Sequence, residues 1–284
     1  MLPPAMSTTA LSRRHALLLL GVVVLAWGFT WIVNKLLLQY MTPIWAAAAR
    51  SIAGTVALLL LGLALRRVAR PVKADLPVIF SVGLLHMGAF AALVSLGMLI
   101  PGAWLFLREA VGPARRAGLA LGILGLVVIF NPLAFDWTNR DALLGNGLIL
   151  LAALCWAANI VYVRAHRWVT PPFELALWQA LLASAVLSAV AYATEGPPQV
   201  VWSADLAWLL GYAGVFGIAV AHWAAVNVNR ALPAGVTAIG LLGVPVFGLL
   251  CAALFLHEPV SASLLAGMAL IVGGIAAGVI ERRA

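Results

Sequence analysis

The segment CWAANIVYVR, residues 155–164, sets Trp156, Asn159 and Tyr162 at intervals of three inside a long apolar run. On a helix that spacing forms an arc that can share one broad face. An asparagine at such depth needs a partner or water. The two rings beside it can enclose an aromatic or aliphatic group. His86, His222 and Asn227 stand in other apolar runs. The two histidines are the membrane-depth groups able to exchange protons near neutral pH. Lys35 and Arg50 are cations within apolar runs, which is costly unless each faces water or a partner. They read either as residues snorkelling to the interface or as an electropositive wall for a substrate that carries a carboxylate. This set suits recognition of a small zwitterionic or anionic metabolite. It does not suit an enzyme: the histidines have neither HExxH spacing nor a nearby carboxylate. Cys155 and Cys251 both fall in apolar runs and read as small hydrophobes. No metal and no cofactor is expected.

The elements that must hold these residues lie in lipid. Hydrophobic residues make up 64% of the 284, charged residues only 9%, and the mean hydropathy is +1.09, against about 25% charged in a soluble domain. Nearly uncharged runs of about the length that crosses a bilayer as helix recur along the chain, and they lack the alternation of a β-barrel. They cover 15–38, 44–65, 77–100, 112–130, 145–163, 173–194, 206–229, 234–256 and 262–280, with a short stub at 101–107. The net charge of +8 belongs to membrane topology, not to nucleic acid. None of the nine acids lies in the middle of a run.

Positive charge and an internal repeat each point to a missing span. If one more helix preceded Arg108, every lysine and arginine except Lys35, Arg50 and Arg140 would lie on one side, the cytoplasmic one, with both termini. Independently, LFLREAVGPARRAGLALGILG at 105–125 aligns without gaps to LFLHEPVSASLLAGMALIVGG at 254–274. The Trp27 run leading into MTP likewise matches the Trp156 run leading into VTP. Glu109 follows Trp27 by 82 positions and Glu258 follows Trp156 by 102, a shortfall of about 20 residues, one membrane-spanning helix. The expected architecture is an all-α polytopic membrane protein. It is a ten-helix bundle of two inverted five-helix repeats, residues 1–130 and 145–284, with helix 4 largely missing between residues 100 and 101. A segment absent at the Ile100–Pro101 junction is favoured over a natural deletion, because a deletion would invert half the protein against its charges. Inverted repeats suit a transporter whose central site opens alternately to each side. Pro245, with Gly240, Gly243 and Gly248 around it, marks its span as breakable; Pro245 and Gly243 are the expected hinge. Gly118 with Gly122, and Gly274 with Gly278, form close-packing faces in a monomer or weak homodimer.

WGFTWIVNKLLLQYMTPIWAAAAR at 27–50 resembles the opening of the drug/metabolite transporter superfamily, EamA type. PGAWLFLREAVGPARRAGLALGILGLVVI at 101–129 and its echo at 245–274 carry the same resemblance, which extends over nearly the whole chain. It implies a secondary transporter in the bacterial inner membrane that exports small metabolites, above all amino acids; bacterial exporters of aromatic amino acids are the leading comparison. Small exporters of lipophilic cations in the superfamily are built around a glutamate in the first helix, where this chain has Lys35 and no acid. A drug or other metabolite exporter of the same fold, or a non-transporting membrane scaffold, are the alternatives. The expected substrate site is Lys35, His86, Trp156, Asn159, Tyr162, His222 and Asn227.

Overall fold

The computed structural model describes residues 11–91, 117, 120–122, 124–125, 127–128, 140–256 and 262–279. Among the described residues all regular structure is helical. Helix α1 is Arg13–Leu37 and α2 is Pro43–Ala64. Helix α3, Leu76–Phe80, runs on as a π-helix over Ser81–Phe90. Helix α4 is Arg140–Ala165 and α5 is Pro172–Glu195. Helix α6, Ala204–Tyr212, becomes a π-helix over Ala213–Val220 and is α-helical again over Ala221–Ala231. Helices α7 (Ala234–Leu241), α8 (Gly243–Leu256) and α9 (Ala262–Val279) complete the order. Six helices among the described residues are long and apolar enough to cross a bilayer.

Local chemistry sets where these helices begin and break. Ser12 and Ser203 cap α1 and α6, each accepting a backbone N–H of the first turn. Pro43 and Pro172 stand at the first helical position of α2 and α5, where a missing N–H is harmless. Gly196 ends α5 with φ +78°, a left-handed turn that favours glycine. The run 234–256 is broken at Leu242, the residue between α7 and α8. Proline at 245 has no N–H for the carbonyl of residue 241, so the break falls one turn upstream of Pro245, where a hinge is expected. Gly243 starts α8 directly after it.

Helix α1 packs against α8 and the last part of α6, α2 lies along α5 and the π-stretch of α6, and α3 packs on α4 and α5. At Gly28 the approach of α1 to α8 is so close that a Cβ would stand 2.7 Å from Phe247 Cδ1. A Cβ at Gly125 would collide with the Gly267 backbone, so Gly125 meets α9 where a side chain has no room. Outward faces are apolar, Leu254 being 71% exposed and Leu18 65%, as lipid contact demands. Buried Thr30 donates within α1 to Ala26 O, and Ser184 of α5 donates to Ser51 Oγ of α2, while buried Thr237 Oγ1 has no partner among the described residues.

The Ile100–Pro101 junction, Trp104, Glu109, Trp137, Gly118 and Glu258 lie outside the described residues. Gln179 on α5 is 2% exposed, its backbone lying against Gly83 of the α3 π-stretch, and its Nε2 has no hydrogen-bond partner.

Candidate functional site

Four helices converge on one cluster of rings. Trp27 comes from α1, His86 and Phe90 from the π-stretch of α3, Trp156 from α4, and His222 from α6. Trp27 meets Trp156 edge to face, ring centroids 5.8 Å apart, and meets His86 and His222 at 5.5 Å and 5.3 Å. His86 stacks on Trp156 at 5.7 Å and lies 4.8 Å from His222. Phe90 closes one side, 5.3 Å from Trp156. Edge-to-face and offset contacts are the favoured ring geometries.

The π-stretches help to position this cluster. A π-turn widens the helix and shifts its register by one residue, a feature found often at functional sites. In α6 the carbonyl of Gly217, within the π-stretch, accepts from Trp27 Nε1 at 3.1 Å and from His222 Nδ1 at 3.1 Å. One backbone oxygen therefore orients both an indole and an imidazole. Thr30, one turn beyond Trp27, borders the same glycine: a Cβ there would stand 3.1 Å from its Oγ1.

The structure brings together His86, Trp156 and His222 of the expected site residues. Asn159 is 2% exposed, one turn from Trp156, and accepts from Ser81 Oγ at 3.1 Å; it joins α4 to α3 below the ring cluster. Tyr162 is not in the cluster. It is 37% exposed and stacks on His166 instead, because positions three apart drift by about 60° at each step. Lys35 is exposed at the last turn of α1. Asn227 turns back on its own helix, Nδ2 donating to Trp223 O at 2.7 Å. Asn229, two residues on, is buried with its Oδ1 unpartnered. Trp27 and Phe90 were not expected as site residues; Trp27 carried a signal, because its repeat partner is Trp156.

Two carboxylates tie helix ends together away from the rings. Glu195, at the end of α5, accepts from Thr42 Oγ1 at 2.6 Å, Ile44 N at 2.9 Å and Trp45 N at 3.0 Å. It satisfies N–H groups that the start of α2 leaves free. A carboxylate at its own helix C-terminus opposes the macrodipole, whereas at another helix's N-terminus it is favoured. Asp75, fully buried before α3, accepts from Val169 N at 3.2 Å, Thr170 N at 2.9 Å and His166 Nε2 at 3.1 Å. The Thr170 side chain bonds the same carboxylate. Thr42 of MTP and Thr170 of VTP therefore play matching parts.

Long apolar helices, six of them among the described residues able to cross a bilayer, packed around an interior cluster of rings make a polytopic helical membrane protein. Comparison with known proteins narrows this. Residues 14–101 and 143–279 match the EamA-like transporter family, and the chain belongs to that family. The Bacillus subtilis protein named uncharacterized transporter YvbV is 28% identical over 93% of this chain and 92% of its own length. A Salmonella typhimurium protein named probable amino-acid metabolite efflux pump is 30% identical over 302 aligned positions, covering 93% of this chain and 94% of its own. A solved crystal structure superposes with a TM-score of 0.72 at 21% identity, over 95% of this chain and 98% of the other; it bears on the fold alone. The protein is a multi-pass membrane transporter, and not an enzyme.

Proposed function

We propose that the protein exports amino acids from the cytoplasm across the bacterial inner membrane, by alternating access around the ring cluster. One observation carries the reading: the contacts Trp27–Trp156 and His86–His222. Trp27 and Trp156 are equivalent in the two halves of the sequence. His86 and His222 belong to corresponding runs. In two halves related by a pseudo-two-fold axis in the membrane plane, equivalent residues touch each other only close to that axis. A site there presents similar walls to both sides of the membrane, as alternating access requires.

The ten-helix, two-repeat plan is part of this proposal, with halves at 1–130 and 145–284 and both termini cytoplasmic. The alignment with the Salmonella relative spans more positions than this chain has residues, 302 against 284, so the relative contains internal residues that this chain lacks. That supports a missing helix 4. The break at Leu242 supports Gly243 and Pro245 as the hinge. The names of two relatives, both probable amino-acid metabolite efflux pumps, support the cargo class. The cluster of indole, phenyl and imidazole rings favours large apolar side chains.

Reconstitution into proteoliposomes, with and without a pH gradient, tests the reading. Labelled aromatic amino acids are expected to exchange across the membrane, with small amino acids moving less. No transport of any amino acid in the panel would overturn it.

A further inference from the structure

Arg50 stands on α2 seven residues beyond Pro43, about 10 Å into the span. It is half-buried, and its Nη1 donates to Asn34 Oδ1. Among the described residues no carboxylate pairs with it, and the acids described in this chain lie near span ends. A guanidinium has five N–H donors in a fork that matches a carboxylate. A single neutral amide leaves most of that capacity open. A cation at such depth is maintained where it meets water, a partner or a substrate.

Its placement ties it to the ring cluster. Trp27, Thr30 and Asn34 lie at i, i+3 and i+7 on one face of α1, so the amide that holds Arg50 stands about 10 Å along the helix from Trp27. Thr30, between them, borders Gly217, whose carbonyl orients Trp27 and His222. On α2, Gly54 follows Arg50 by one turn and abuts Ile218 of the same π-stretch. Arg50 is also within electrostatic reach of the His222 ring. A cation and an aromatic cluster, offset by about two helical turns along one face, fit a molecule with a carboxylate at one end and an apolar ring at the other.

We infer that Arg50, oriented by Asn34, receives the carboxylate of the cargo and restricts transport to carboxylate-bearing molecules. The inference rests on the ring cluster being the cargo site. Binding of phenylalanine, phenethylamine and 3-phenylpropionate to the detergent-solubilised protein, followed by indole fluorescence, separates the possibilities. Phenylalanine and 3-phenylpropionate are expected to bind, and phenethylamine at least tenfold more weakly. Asn34→Asp should weaken phenylalanine binding at least tenfold while leaving the melting temperature unchanged or higher, because an internal carboxylate then occupies Arg50. A merely structural Arg50 would tolerate that change, being better paired. Arg50→Lys should retain part of the affinity and Arg50→Gln little. Equal binding of phenethylamine and phenylalanine, or an unaffected Asn34→Asp variant, would overturn the inference and leave the exporter reading intact. If none of the three binds, both fall.

Discussion

The indoles of Trp27 and Trp156 meet edge to face with centroids 5.8 Å apart, although 129 positions separate them in the sequence. Their coupling can be measured. Trp27→Ala and Trp156→Ala should each lower aromatic amino-acid efflux at least fivefold. The double variant should lose less than the product of the two, by the about 0.5–1.5 kcal/mol that such ring pairs contribute. Multiplicative losses in a double-mutant cycle would mean that the rings act separately.

Replacing Pro245 with alanine restores an N–H to the helix at the point where 234–256 is broken. The α7–α8 break should heal, and turnover should fall several-fold with little change in substrate affinity. Efflux rates and KM in proteoliposomes distinguish this from a site role, for which KM would rise instead.

Glu195→Gln removes the charge that receives Thr42, Ile44 and Trp45. Buried donors deprived of an ionised acceptor cost about 1–3 kcal/mol. The melting temperature in detergent should drop by several degrees. Thr42→Val should cost less, and adding it to Glu195→Gln should cost little more. A Glu195→Gln variant that melts like the parent would refute the clamp's contribution.

Gly28→Ala places a methyl against Phe247 and 3.1 Å from the Val244 carbonyl. Overpacking of this kind costs about 1–3 kcal/mol. Phe247→Leu should restore much of the loss, as judged by thermal melting and expression. Failure of the second change to rescue would place the strain at the backbone oxygen.

Much of the fold was legible because lipid imposes a simple rule: spans must be long, apolar and internally hydrogen-bonded. The break ahead of Pro245 followed from the chemistry of proline, whereas the starts at Pro43 and Pro172 were visible only as the edges of apolar runs. His86, Trp156 and His222 were legible as polar or aromatic groups at depth. Tyr162 was not placed correctly, since a run of three-residue steps turns steadily away from its first member. Asn227 was read as a site residue, but a helical asparagine can satisfy itself on the carbonyl four residues back, which no sequence pattern announces. Trp27 stands out in the sequence only through its match to Trp156 in the repeat, which says nothing of the rings around it. Arg50 was visible as a buried cation, but its link to the rings depends on the shared face of α1 and on the π-stretch of α6. Neither can be read from periodicity alone.

The two carboxylate clamps bear on ancestry. Glu195 closes the Thr42 turn, and Asp75 closes the Thr170 turn; on the two-repeat reading, each half completes a helix start belonging to the other. A lone half would expose N–H groups and leave a charged residue with nothing to cap. On that reading a half-length chain would need an oppositely inserted copy of itself as its partner, and the two halves expressed from separate messages should accumulate only when made together.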